Sequence, residues 1–276
     1  MSTSVYQTVM IGLIAGIGFI GCSSEETIVQ LSPEERFKLG MAKFREEDYL
    51  EAIEDFKIVT LQFQGTQYGD DAQFYMAECR YIRGEFVLAA YEYDMLLRTM
   101  PTSDFVSRAR FRKATCYYDL SPESYRDQDY TRKAIDEYQG FLEYHPTDSL
   151  APVAETRIHE LNTKLARKDF ENGAIYLKMQ YNKAAIYYFD LVLEKYHDTP
   201  YAENAHLKKS EALTNRRKFT EARAELGKFF LKFPSTSLRQ EAEALRMRID
   251  KEESNAKEQS LRAEQRHNSV QTIPVQ

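Results

Sequence analysis

A small residue returns five times along this chain, each time in the same company. Ala52, Ala89, Ala134, Ala184 and Ala222 each follow an aromatic by three or four residues, at Tyr49, Phe86, Tyr130, Tyr181 and Phe219. A large residue comes four later, at Phe56, Tyr93, Tyr138, Tyr188 and Leu226, and a further apolar one at Val59, Leu96, Phe141, Leu191 and Phe229. Steps of three and four place small, large and large on one face of a helix. The chain is therefore expected to be all-α and built from one repeated unit.

Upstream of each unit the pattern predicts a partner helix with its own small residue, at Ala42, Cys79, Cys116, Ala174 and Ala212. Two helices approach closely only where side chains are small. Proline closes several units, at Pro101, Pro146 and Pro234, where it cannot continue a helix. The interval from Ala52 to Ala89, and from Cys79 to Cys116, is 37 residues.

Leu39-Gly40, Asp48-Tyr49, Ala52-Ile53 and Phe56, then Gly84-Glu85-Phe86, Ala89, Tyr93 and Pro101, resemble tetratricopeptide signatures, whose helix–turn–helix unit is about 34 residues long. Five repeats are read, at 32–66, 68–103, 104–149, 150–199 and 201–236. The third carries an insertion between its helices, Ser121 to Asp129, and the fourth has an unusually long first helix. A C-terminal helix from near Ser237, with Leu238, Ala242, Leu245 and Ile249 as its apolar stripe, caps the last repeat, whose core would otherwise meet water. The fold class is thus a tetratricopeptide-repeat solenoid of five helix-turn-helix repeats with a capping helix. Residues 251–276 read as a charged extension, flexible from Asn268 onward.

The front of the chain has another character. Val9 to Ile20 is apolar, shorter than the roughly 20 residues that cross a bilayer, and of a length that suits the core of a secretory signal. Ile20-Gly21-Cys22-Ser23-Ser24 then resembles a bacterial lipoprotein signal, which implies lipidation at Cys22; an uncleaved anchor is the alternative. Residues 1–21 are read as signal peptide and 22–31 as a linker from the lipidated cysteine. Ser23, where an aspartate would mark inner-membrane retention, favours the outer membrane by analogy.

About 255 residues then remain, enough for one elongated solenoid. A net charge of −6 with no basic stripe argues against nucleic acid as a partner. Of three cysteines, Cys79 and Cys116 fill equivalent small-residue slots and are expected to pack as free, buried thiols. No Gly-x-Ser-x-Gly, phosphate loop, dinucleotide fingerprint, His-Glu-x-x-His or Cys-x-x-Cys occurs, so no catalytic residue, cofactor or metal is assigned. The five histidines are dispersed, and the pair Glu155 and His159 reads as an ordinary surface contact, since zinc needs three or four ligands. An enzyme is the least expected class.

Most of the nineteen tyrosines must be repeat core. Tyr75, Tyr81, Tyr117 and Tyr118 fall on first helices, which line the groove of this architecture, and are the candidate peptide-groove residues.

The number of repeats, the insertion and the lipobox together resemble the BamD family of outer-membrane assembly lipoproteins. The stretches Tyr49 to Phe56, Leu165 to Ala174 and Phe189 to Ala205 carry the likeness. The resemblance implies a periplasm-facing scaffold, lipid-anchored to the outer membrane. Its N-terminal repeats (32–149) would receive unfolded outer-membrane protein precursors. Its C-terminal half (150–250) would hold the periplasmic domains of the barrel-forming partner, other assembly lipoproteins joining them. The basic residue expected on the second helix of repeat four is Tyr187 here. The competing reading is another envelope scaffold of this type, for peptidoglycan or division coordination; a starch-utilisation lipoprotein is disfavoured by the chain's modest length.

Overall fold

The computed structural model describes residues 31–63 and 65–271, with side chains to 266. The signal segment, Cys22 and most of the linker lie outside the described residues. Eleven helices, and no strand, occur among those described. They pair as α1 (Pro33–Arg45) with α2 (Tyr49–Gln62), α3 (Gly69–Ile82) with α4 (Phe86–Thr99), and α5 (Val106–Leu120) with α6 (Asp129–Tyr144). Then come α7 (Ala151–Lys178) with α8 (Asn182–Lys195), α9 (Tyr201–Asn215) with α10 (Phe219–Lys232), and finally α11 (Arg239–Gln271). All five predicted pairs form, and α7 runs for 28 residues.

Tight turns set the register of each pair. The turn residue is left-handed at Glu47 (φ 65°), Gly84 (76°), Gln180 (63°) and Arg217 (58°), and the second helix starts two residues later. Five residues after each comes a fully buried alanine: Ala52, Ala89, Ala185 and Ala222. Repeat four is thus one residue out from the sequence reading. Ala185, Phe189 and Val192 are buried, whereas Ala184, Tyr188 and Leu191 are only half-buried. Consecutive alanines and consecutive aromatics left two registers open, and the turn chose between them.

The first-helix partners also shift. Phe56 and Phe189 press on bare backbone: a Cβ on Gly40 would lie 2.8 Å from Phe56, and one on Gly173 would lie 2.6 Å from Phe189. Ala77 and Ala114 hold the same place beneath Tyr93 and Tyr138. Ala42 and Ala174, expected at the contact, are half-buried beside it. Cys79, Cys116 and Ala212 are fully buried, against the second helix of the preceding repeat. Both cysteines are free, and burial pushes each thiol up to about 12.

The insertion is packed onto the solenoid. Gln128 is fully buried and donates to the carbonyls of Glu123 and Arg126 at 2.8 and 3.1 Å. Lys164 and Lys168 of α7 reach over to Ser121 and to the Arg126 carbonyl. At the far end Ala242, Leu245 and Ile249 close the last core against Leu226 and Phe229. The helix α11 continues to Gln271, beyond Asn268 where a flexible tail was expected. Pairs such as Lys257–Glu253 and Arg262–Glu258 support an exposed helix there.

Candidate functional site

The four candidate tyrosines do not form one open row. Tyr75 sits inside an aromatic cluster, with ring centroids 5.4 to 6.3 Å from Phe37, Phe44, Phe56, Phe74 and Phe105. It is a joint between repeats one and two. Tyr117 stacks on Tyr130 at 6.2 Å, tying α5 to α6.

Tyr81 and Tyr118 share a different arrangement, repeated from one first helix to the next. The Tyr81 hydroxyl of α3 donates to Asp119 of α5 at 2.6 Å, and the Arg112 guanidinium of α5 lies 3.8 Å from the centre of its ring. The Tyr118 hydroxyl of α5 donates to Glu160 of α7 at 2.7 Å, with Arg157 of α7 at 3.9 Å over the ring. Such cation–π contacts add to the hydrogen bond. Burial and then the bond to Asp119 push the Tyr81 phenol up to about 12, and Tyr118 is raised in the same order of causes by burial and Glu160. Arg112 also grips Glu78 by two bonds of 2.6 and 2.7 Å, and Glu78 accepts from buried Tyr93. The ladder therefore runs α3 to α5 to α7. Both of its tyrosine hydroxyls are engaged within the chain and are not free donors.

A second set of residues escaped the sequence reading. Three positions after the buried alanine of the second helix stands an acid in four repeats: Asp55, Glu92, Glu137 and Glu225. Each is clamped by donors on its own first helix. Asp55 meets Arg36 at 2.8 Å and Lys43 at 2.7 Å; Glu92 meets Gln73 at 3.0 Å and Arg80 at 3.1 Å; Glu137 meets Lys113 at 2.7 Å. Glu225, 3% exposed, is held by His206 and by Lys209 at 3.0 Å. Burial by itself would raise the Glu225 carboxyl, but bonds from His206, Lys209 and Lys228 bring it down to about 2. The acid recurring in four of the five repeats was the signal that could have found these clamps.

Repeat four lacks one. Its slot holds Tyr188, stacked on Tyr176 at 5.4 Å with ring planes 10° apart. Beside this pair Tyr176, Tyr181, Tyr187, Lys183 and Arg216 wall an open hollow of about 680 Å³ at the α7–α8 turn. Tyr181 and Tyr187 are 59% and 60% exposed.

His159 lies 3.4 Å from Asp198, as a surface contact, and no group of three metal-ligating side chains occurs among the described residues. Five consecutive helix pairs, each second helix carrying a fully buried alanine and a buried large side chain four residues on, define a tetratricopeptide-repeat protein. A family model described as YfiO, outer membrane lipoprotein, matches residues 29–226, and the chain belongs to that family. It is 24% identical over 197 residues to the outer membrane protein assembly factor BamD of Caulobacter vibrioides, covering 70% of this chain and 65% of that one. The chain thus spans just under two thirds of that relative's length. It is likewise 24% identical over 198 residues to BamD of Rickettsia prowazekii, covering 71% and 77%. Among solved structures, a TPR repeats protein from Bacteroides fragilis aligns over 80% of this chain and 85% of that one, at 11% identity and a TM-score of 0.38.

Proposed function

We propose that this chain is a non-enzymatic scaffold of outer-membrane β-barrel protein assembly. The observation that carries the reading is the YfiO match over residues 29–226, on a chain whose repeats stack from Pro33 to Lys232. Two relatives that bear the name assembly factor support it.

Cys22 carries the acyl anchor that holds the chain to the outer membrane, facing the periplasm. Repeats one to three (32–149) receive unfolded precursors, with Tyr81 and Tyr118 presenting ring faces. Repeats four and five with the capping helix (150–250) hold the periplasmic domains of the barrel-forming partner, other assembly lipoproteins joining them.

Affinity purification from detergent-solubilised envelope tests the whole reading. A large β-barrel protein should co-purify in near-stoichiometric amount, and peptidoglycan or division proteins in its place would overturn the assembly role. Replacing Cys22 with Ala should abolish palmitate labelling and release the chain from the membrane fraction. Unchanged labelling would remove the lipoprotein part of the reading.

A further inference from the structure

Two of the grooves between successive second helices are bridged by ion pairs, and a third is not. Lys113 of α5 joins Asp94 of α4, at 2.9 Å, to Glu137 of α6, at 2.7 Å. Lys209 of α9 does the same for Asp190 of α8 and Glu225 of α10, at 2.7 and 3.0 Å. Both lysines stand three residues before the buried small residue of their own helix, Cys116 and Ala212.

Between α2 and α4 that bridge is missing. The residue three before Cys79 is Met76, and Lys57 takes the place of Asp94 and Asp190. The third member, Glu92, is held by Gln73 and Arg80 instead. An open groove of about 410 Å³ results, walled by Lys57 and Leu61 of α2 and by Tyr91 and Met95 of α4, with buried Met76 of α3 between them. Leu50, Lys57 and Leu61 share one stripe of α2, and Leu88, Tyr91 and Met95 one stripe of α4, at helical steps. Leu61 is 74% exposed and Tyr91 56%. In α6 the places of Leu88, Tyr91 and Met95 hold Lys133, Asp136 and Gly140, and in α10 they hold Glu221, Ala224 and Lys228. Apolar walls therefore distinguish the groove that lacks the bridge from the two that have it.

Charge selects the occupant. Glu46, Glu47, Asp48, Glu51 and Glu54 crowd the turn and first residues of α2, all exposed, and none of them makes an ion pair among the described residues. They repel an anionic membrane surface and attract an apolar segment flanked by lysine or arginine. Lys57, also without an ion pair and one turn farther along α2, favours an uncharged or acidic residue at its own level. We infer that the groove between α2 and α4 is the docking site of an amphipathic helix of another protein, basic at one end, with its apolar face over Met76 and its cations over the acidic turn. Helices seated in this way insert side chains at three- and four-residue steps, which is the spacing of both walls. Such a site stands whether or not the chain serves barrel assembly.

The test uses the full chain and a fluorescent synthetic helix with leucines at three- and four-residue steps and lysines clustered at one end. Anisotropy should show saturable binding, and a peptide of the same composition in scrambled order should bind about tenfold more weakly or worse. Leu61→Asp and Tyr91→Asp should each weaken binding about tenfold, as truncation of a central contact does. The pair Glu51→Lys and Glu54→Lys should weaken it as well. Circular dichroism and melting of these variants should match the unaltered chain, since all four side chains are exposed. Leu231→Asp, at an exposed leucine of α10, should bind normally. Absence of saturable binding, equal binding of the scrambled peptide or equal binding by all variants overturns the inference. So does a dimer in sedimentation that Leu61→Asp dissolves, which would give the groove to a second copy of this chain, or binding to anionic vesicles that the same change abolishes, which would give it to a bilayer.

Discussion

Repeats two and four are built to one plan and finished differently. In each, a ring on the second helix presses on a small residue sixteen places earlier, Tyr93 on Ala77 and Phe189 on Gly173. In repeat two the acid Glu92 is clamped by Gln73 and Arg80, and Cys79 lies under α2. Repeat four replaces the clamp with stacked tyrosines and leaves Ile175 and Met179 in water. Core packing defines a repeat, whereas its clamp and its coverage are separable from it.

The sharpest way to break the comparison is at the core. Phe189→Ala should cost about 3–5 kcal/mol, as for other fully buried aromatics. Tyr188→Ala beside it should cost no more than about 1.5 kcal/mol, the scale of a stacked aromatic pair. Urea melts of the two variants read this directly. If Tyr188→Ala were the more damaging, the register described for α8 would be wrong, and with it the contrast between the two repeats.

The clamp comes next. Glu225→Gln removes charge-assisted bonds from a buried site and should cost about 1.5–3 kcal/mol at neutral pH. The carboxyl is depressed from 4.5 to about 2 in the folded chain, so its contribution is fully present above about pH 4.5 and is lost as pH falls towards 2. The gap between unaltered and variant chains should therefore narrow across that window. A gap that stays constant from pH 6 to pH 2.5 would mean that the clamp does not act through its charge.

Close approach of the paired helices supplies a smaller effect. Gly173→Ala puts a methyl 2.6 Å from Phe189, and Ala185→Leu enlarges a fully buried contact; each should cost about 1–3 kcal/mol. Ala184→Leu, at a half-buried site, should stay within about 0.5 kcal/mol. Thermal melts that rank Ala184→Leu above Ala185→Leu would restore the register that the sequence alone suggested.

Much of this was legible beforehand, because core packing writes itself as a spacing. Alanine, ring and second apolar residue recur wherever a helix pair must close, so five repeats and the capping stripe could be read. The one-residue error in repeat four has a physical origin. Register is set by a left-handed turn residue, and in repeat four the neighbours Ala184-Ala185 and Tyr188-Phe189 satisfy the spacing in either of two registers, between which Gln180 gives no sequence signal. Candidate tyrosines could be assigned to first helices, yet their partners could not. Asp119 lies 38 residues from Tyr81 and Glu160 lies 42 from Tyr118, distances that no local pattern encodes. The uncovered face of α7 was invisible for a related reason: the excess length of the helix could be seen, but which of its turns α6 would occupy is decided by packing.

The smallest expected effect concerns the ladder that repeats two to four share and that ends at α7. Tyr81→Phe and Tyr118→Phe each delete one hydroxyl bond between neighbouring first helices while keeping the ring under its arginine. Because both groups are only half-buried, each change should cost about 0.5–1 kcal/mol, the lower part of the range for single hydrogen bonds. The acceptor Asp119 adjoins Tyr118 on α5, so the two rungs meet on one helix and the double variant should depart from the sum of the singles. A double-mutant cycle measures that departure, and hydrogen exchange locates it. Protection should fall along α5, which takes part in both rungs, and not along α9, which takes part in neither. If α9 loosened equally, the rungs would be acting on the solenoid as a whole, and the front half would not be the separately braced region that its contrast with repeat four implies.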